Sequence, residues 1–208
     1  LVYSGNISNV GDPQSTTSNS IFVTNTAQLY KGVALGVSGG YSTSTQPGGG
    51  QSQSVILSSG LSLIPRKDLN VNLGYSETST QQSGGVVPSS STYTRSGALS
   101  VSYTPFETLY LTGAWAISAS NDQPTTTTQN YGASWSPFRG GTLQFNFNYS
   151  ESLSSPDNQK TRSLSPSARW NVRPGTTVDF TYQYFTISGP SSGETVGNTL
   201  AATLRIAI

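Results

Sequence analysis

Three charged side chains lie in segments of the chain that otherwise carry few charges: Arg169, Asp179 and Arg205. Around the first two, from Leu164 to Tyr184, apolar and polar residues alternate with the period of two that is typical of a β-strand with two unlike faces. The change of direction between the two alternating runs is expected at Asn171 to Thr176. The segment is therefore predicted to be a β-hairpin.

The predicted register of this hairpin brings opposite charges together. If Trp170 pairs with Val178, then Arg169 lies opposite Asp179 on the polar face, and Arg205 on the last predicted strand is expected to reach Asp179 from its other side. One interpretation is a pore constriction whose net charge of +1 biases the passage of ions. The other is a structural ion pair that fixes the strand register. The pattern leaves both open.

The residue types that are missing exclude much of enzyme chemistry. The chain contains no cysteine and no histidine, so disulfides, thiolate or imidazole metal sites, and Cys or Ser-His nucleophiles are excluded. No pair of acidic residues is predicted at a strand end, and no haem-attachment motif occurs. We therefore predict no catalytic residue, no metal site and no cofactor, and the chain is not expected to be an enzyme.

The same alternating design recurs along the whole chain of 208 residues. Hairpins are predicted at Leu61 to Tyr75, Gly97 to Trp115, Tyr131 to Tyr149 and, less regularly, Tyr30 to Tyr41. Together with the remaining runs they give twelve antiparallel strands, joined alternately by short turns and by longer polar loops. Four of these loops are predicted at Ser42 to Ser52, Glu77 to Ser91, Asn121 to Thr128 and Glu151 to Lys160. We predict an all-β, up-and-down β-barrel, with residues 1–208 as a single domain.

Composition decides between a soluble and a membrane-spanning version of this fold. Only 33% of the residues are hydrophobic and 9% are charged, and the net charge is +1, which does not suit a nucleic-acid partner. A soluble sandwich would carry charge on its polar face, yet here that face is rich in Ser, Thr, Asn, Gln, Gly and Ala. In a transmembrane barrel the apolar face contacts lipid instead. The membrane version is favoured over the soluble sandwich.

Aromatic residues support the membrane interpretation by their positions. Tyr and Trp prefer the two interfaces of a bilayer, and here one aromatic follows six residues after an apolar position in each ascending strand, a span of about 20 Å. A second set ends the descending strands. The two predicted girdles consist of Tyr41, Tyr75, Trp115, Tyr149 and Tyr184 on the loop side and Tyr30, Tyr103, Trp135 and Trp170 on the turn side.

With its alternating strands of about ten residues, short turns, long loops, girdles and apolar last strand, the chain resembles the bacterial outer-membrane β-barrels, in particular porin-like channels. The resemblance covers nearly the whole chain but includes no family-specific motif, and the ending on Ile208 departs from the Phe that usually closes such barrels. It implies periplasmic turns, extracellular loops and a Gram-negative outer membrane. The bilayer with its lipopolysaccharide would be a partner, and a homo-oligomer is possible.

The predicted function is a pore through which ions or small hydrophilic solutes diffuse passively along a narrow polar lumen. Two alternatives remain open. One is a secretion, translocator or anchoring barrel, which would need a segment threading the lumen. The other is a scaffold sleeve around a periplasmic or extracellular partner.

Overall fold

The structure is a computed structural model, and it describes residues 2–8, 16–45, 49–84, 88–138, 140–155, 158–190 and 193–206. Its regular elements are strands. They are β1 (Val2–Ser8), β2 (Thr16–Tyr30), β3 (Val33–Thr45), β4 (Gln51–Arg66), β5 (Leu69–Ser83), β6 (Ser90–Phe106), β7 (Leu109–Ser120), β8 (Thr125–Trp135), β9 (Leu143–Ser155), β10 (Gln159–Leu164), β11 (Ser167–Arg173), β12 (Thr176–Gly189) and β13 (Gly193–Ile206). None of the described residues forms a helix long and apolar enough to cross a membrane.

The short elements β10 and β11 are two halves of one strand interrupted at Pro166. Leu164 pairs with Tyr149 and Tyr184, and beyond the interruption Ser167 pairs with Asn146 and Thr181, so the register continues without a bulge. Ser165 N donates to Asn148 O at 2.8 Å across the gap. Proline has no N–H to give to the ladder, which accounts for the interruption. Counted as one strand, the pair brings the described total to the twelve predicted.

The strands follow an up-and-down order, since each pairs with its neighbours in the chain once β10 and β11 are joined. The pairings with a described register are antiparallel. Tight turns connect them on one side, where Gly32 (φ 79°) and Gly175 (φ 78°) adopt the left-handed backbone that glycine tolerates best. The all-β, up-and-down fold class predicted from the alternation is confirmed.

Contacts within the chain define two compact units. The first comprises Leu1–Leu63, Asn72–Gly97 and Ser118–Gln123, and in it β2 pairs with β1 and β3. The second comprises Ile64–Val71, Ala98–Ile117 and Pro124–Ile208. In this second unit β9 pairs with β8 and with both halves of the interrupted strand, and β12 pairs with β13.

Apolar side chains do not form a buried core in the described part of the chain. No described hydrophobic side chain is buried, and the one buried polar residue there is Thr186. Large apolar groups are instead exposed on the sheet, as at Leu57 (47%), Phe147 (41%) and Leu204 (61%). A water-soluble sandwich buries its apolar faces between two sheets. The exposed apolar face therefore has the character of a wall that contacts lipid.

The strands extend further into the loops than the sequence predicted. Segments expected as loops at 42–52, 77–91, 121–128 and 151–160 are strand over half or more of their length, so those loop bounds were wrong. The prediction ended each strand where its apolar face ended, but Ser and Thr on both faces continue the ladder. Cross-strand hydroxyl contacts accompany these extensions, for example Thr80 Oγ1 to Ser54 Oγ at 3.3 Å.

Candidate functional site

The hairpin β11–β12 places the first two predicted site residues together. Trp170 pairs with Val178 and Arg169 with Asp179, as predicted. Arg169 Nε donates to Asp179 Oδ1 at 2.6 Å. The alternation that puts the apolar side chains on one face of the hairpin leaves this ion pair on the other. The predicted contact is confirmed, while its role in a pore stays a prediction.

Arg205 reaches the same carboxylate from the neighbouring strand. It pairs with Thr177 on β12, which makes it a diagonal neighbour of Asp179, and its Nε lies 3.7 Å from Asp179 Oδ2. The carboxylate side chain is only 14% exposed, whereas those of Arg169 and Arg205 are 51% and 71% exposed. Two exposed cations therefore flank one shielded anion on the polar face, with a net charge of +1.

Hydroxyl groups form cross-strand pairs on the polar face of each unit. Ser150 and Ser163 are hydrogen-bonded side chain to side chain at 2.8 Å in the second unit. Comparable pairs occur in the first unit, namely Ser38–Ser58 at 2.6 Å, Ser76–Ser96 at 2.7 Å and Thr94–Ser120 at 3.4 Å. A hydroxyl both donates and accepts, so each pair leaves hydrogen-bonding capacity for water or a solute. The polar face is hydrophilic with few charges.

Two phenylalanines interrupt this hydrophilic face, and sequence reasoning did not single them out. Phe185 follows Tyr184 on β12 and so lies on the opposite face, where it pairs with Gly197. A Cβ at Gly197 would overlap the Phe185 ring. The first unit repeats the arrangement with Phe22 over Gly40. In both cases the missing Cβ makes room for a ring on the polar face, a signal that the pairing register alone reveals.

The predicted girdle residues lie on the apolar face, half-buried or exposed. Tyr30 is 79% exposed at the end of β2, and Trp170 is 51% exposed near the end of β11. The loop-side residues lie inside their strands, since the strands continue beyond them. Sequence reasoning missed Tyr131, whose ring lies 5.5 Å from that of Trp115 and 6.0 Å from that of Tyr149. Contact with the membrane interfaces stays a prediction for all nine.

Charged side chains lie on the strands beyond the loop-side girdle, although the sequence pattern predicts a loop for two of them, Glu151 and Lys160. Tyr149 Oη donates to Glu151 Oε2 at 2.7 Å. Lys160 Nζ lies 2.8 Å from Glu151 Oε1, and Arg162 Nε lies 2.9 Å from Glu151 Oε2. We call these three charged residues, Glu151, Lys160 and Arg162, the cation cluster.

A sister arrangement in the first unit points to the sequence signal that could have found the cluster. Tyr75 Oη donates to Glu77 Oε2 at 2.7 Å, as Tyr149 Oη donates to Glu151 Oε2. The chain repeats Tyr-Ser-Glu at 75–77 and 149–151, and Thr-Arg-Ser at 94–96 and 161–163. The repeated serines are those that form hydroxyl pairs across the strands. The repeat therefore marks one pairing rule used twice.

A further ion pair lies at the turn side. Arg66 Nε donates to Asp68 Oδ1 at 2.9 Å, and the Arg66 guanidinium carbon lies 6.0 Å from the centre of the Tyr103 ring. The hydrogen bond from Arg66 holds the pKa of the Asp68 carboxyl below its usual range. Asp68 thus stays ionised to a lower pH than an unpaired aspartate would.

An open apolar groove crosses the apolar face of the second unit, from Leu109 on β7 to Leu200 on β13, and passes over the interrupted strand β10–β11. Its floor is formed by the short side chains of Pro166 and Ala168, and its volume is about 630 Å³. Ala168 pairs with Phe145 on one side and Phe180 on the other, so large rings rise from both neighbouring strands. The rings that flank the floor are Phe145 and Phe147 from β9 and Phe180 and Tyr182 from β12.

No protein-family model and no curated protein matches the chain. Among solved structures, the siderophore receptor PirA from Acinetobacter baumannii is similar over 97% of this chain and 40% of its own, with a TM-score of 0.66 at 12% identity. The ferric-catecholate import receptor Fiu from E. coli K12 matches 88% of this chain and 40% of its own, with a TM-score of 0.54 at 14% identity.

The NanC porin is similar over 95% of this chain and 96% of its own at 9% identity, but with a TM-score of 0.41 that is too low to support an assignment. The chain spans about 40% of the length of the two receptors, and identities this low show the fold alone. The fold that the chain shares with the two receptors agrees with its alternating strands and its exposed apolar face. The chain therefore has the fold of the outer-membrane β-barrels, with no particular family assigned.

Proposed function

We propose that this chain is a passive pore of a bacterial outer membrane, through which ions or small hydrophilic solutes diffuse. The observation that carries the proposal is the contrast between the two faces of the sheet. The apolar face exposes large side chains such as Leu57 and Phe147, which suit lipid. The polar face carries hydroxyl pairs and few charges, which suit a water-filled lumen.

The barrel size supports a narrow pore. Eight strands are roughly filled by their own side chains, whereas 16 to 18 leave a wide channel. Twelve strands with small polar side chains lie between these cases. The ring of Phe185 on the polar face narrows the passage further, because it replaces a hydroxyl with a bulky apolar group.

The charged triad Arg169, Asp179 and Arg205 would give this pore a weak preference for anions. Both cations are the exposed members and the carboxylate is shielded, so a passing ion meets positive charge first. We also propose that the chain is not an enzyme and needs no cofactor.

The test is single-channel recording of the refolded chain in a planar bilayer, together with the reversal potential under a salt gradient. Uniform conductance steps with weak anion preference are expected. A correctly inserted, heat-modifiable barrel that never conducts would contradict the pore and would leave an anchor, or a sleeve that needs its partner.

A further inference from the structure

One face of the interrupted strand β10–β11 carries a sequence of side chains that changes from cationic to apolar along its length. Because the register continues through Pro166, alternate residues share a face across both halves. From the loop end this face presents Lys160, Arg162, Leu164, Pro166 and Ala168. The first two belong to the cation cluster, and the last two form the floor of the apolar groove.

The cation cluster has unused capacity for an anion. Glu151 accepts from Lys160, Arg162 and Tyr149. Within the cluster it is the most shielded charged group, with 17% exposure against 31% for Lys160 and 49% for Arg162. A lysine has three donors and an arginine five, so donors remain after the contacts with Glu151. The cluster has a net charge of +1, which is complementary to a phosphate.

The apolar groove lies on the same face at a suitable distance. Pro166 follows Arg162 by four positions, which corresponds to about 13 Å along a strand. The groove volume of about 630 Å³ lies within the roughly 300–1,000 Å³ of typical small-molecule sites. Its walls are rings and its floor is short side chains. An extended hydrocarbon chain fits such a trough.

We propose that the cation cluster and the apolar groove together bind one anionic, phosphate-bearing lipid on the outer wall. The phosphate contacts Lys160 and Arg162, and one acyl chain passes over Leu164 and lies in the groove above Pro166 and Ala168. The proposal requires the barrel fold but not the pore, because the site is on the face turned away from the lumen.

The two parts of the site have different expected effects. In a detergent or bilayer the acyl chain is surrounded by hydrocarbon in either state, so the groove adds only packing contacts. Selectivity between lipids should therefore come from the charge-assisted hydrogen bonds at the headgroup. A change in the groove should alter the binding affinity of all lipids with the same acyl chains equally.

The test is native mass spectrometry of the refolded chain in detergent with two lipids of matched chains, dioleoyl phosphatidylglycerol and dioleoyl phosphatidylcholine. Both carry a phosphate, but the choline neutralises it. The wild-type chain should bind one phosphatidylglycerol several-fold more tightly than phosphatidylcholine. The double variant Lys160→Gln/Arg162→Gln should weaken phosphatidylglycerol binding about tenfold and remove the preference.

Two further variants separate the site from general charge and from the headgroup alone. Ala168→Phe fills the groove and should weaken both lipids about threefold through lost packing contacts. Arg95→Gln is the matched control, since Arg95 occupies the equivalent place in the repeated Thr-Arg-Ser motif, and it should leave lipid binding unchanged. Heat-modified migration and circular dichroism confirm that each variant is folded.

Several outcomes would overturn the proposal. Equal binding of the two lipids, or no effect of the double variant, would remove the headgroup site. If Ala168→Phe had no effect on lipid binding, the groove would not be part of the site. If inorganic phosphate displaced phosphatidylglycerol at a similar concentration, the site would recognise the free anion and the lipid would be the wrong ligand.

Discussion

Replacing Arg205 with Gln should abolish the anion preference of the pore at little cost to its stability. Arg205 is 71% exposed and lies 3.7 Å from Asp179, while Arg169 keeps its 2.6 Å hydrogen bond to the same carboxylate. An exposed pair of this kind contributes about 0–1 kcal/mol. The variant should therefore fold normally and change the charge of the triad from +1 to neutral.

The size of the effect follows from Coulomb's law. An ion that passes about 5 Å from a unit charge in water has an interaction energy of about 0.8 kcal/mol, which screening in 0.1 M salt reduces to about 0.5 kcal/mol. Since 1.4 kcal/mol corresponds to a factor of ten, each ion is affected about twofold. Anions and cations change in opposite directions, so the permeability ratio should fall about fivefold.

The assay is the reversal potential under a tenfold salt gradient, repeated at high salt, where the effect should shrink. Asp179→Asn should move the ratio in the opposite direction, because the triad then carries +2. Arg95→Gln removes a charge from the apolar face of its strand and should leave the ratio unchanged. If Arg205→Gln and Asp179→Asn shift the reversal potential in the same direction, or not at all, the triad does not face the ion path.

Other expectations concern the fold and can be measured by urea unfolding in lipid vesicles or by its pH dependence. Gly197→Ala should lower the free energy of unfolding by about 1–3 kcal/mol, because the added methyl group overlaps the ring of Phe185 on the neighbouring strand. Gly74→Ala has open space at its Cβ and should raise the free energy of unfolding by about 0.5–1 kcal/mol. Equal effects of the two variants would contradict the packing argument. Ser150→Ala should cost about 0.5–1.5 kcal/mol, and almost nothing once its serine partner is already alanine, so additive losses would rule out a shared hydrogen bond. Asp68→Asn should be less stable than the wild type at neutral pH and equally stable in acid. Because Arg66 lowers the pKa of Asp68, the contribution of Asp68 to the free energy of unfolding is present above the ordinary Asp pKa and is lost as the pH falls through the lowered value. A difference in stability that persists in acid would contradict this.

The main hairpin could be predicted from the sequence because its two faces differ in polarity. A shift of one residue in β11–β12 would move Trp170 and Val178 to the polar face, so the alternation determines the register and with it the contact of Arg169 with Asp179. Arg205 followed from the same periodicity on the next strand.

The loop-side parts of the molecule could not be predicted in the same way. Beyond the girdles both faces are polar, so alternation no longer indicates where a strand ends, and the pattern places Glu151 and Lys160 in a loop. Phe185 was obscured for a different reason. Its place over Gly197 depends on pairing with another strand, which the period of its own strand does not specify.

The repeated Tyr-Ser-Glu and Thr-Arg-Ser motifs also bear on how the chain assembles. Strands that share the same cross-strand serine and charge partners present chemically equivalent edges while they are still unpaired. We therefore expect β10 to compete with β6 for the edge of β5 during folding, because Ser163 and Arg162 repeat the residue types of Ser96 and Arg95. Short connections within each hairpin counteract this exchange, since they make the neighbouring strand available first. The repeated motif thus fixes the register within each strand pair but does not distinguish one strand pair from the other. Correct assembly therefore depends on the order in which the hairpins form.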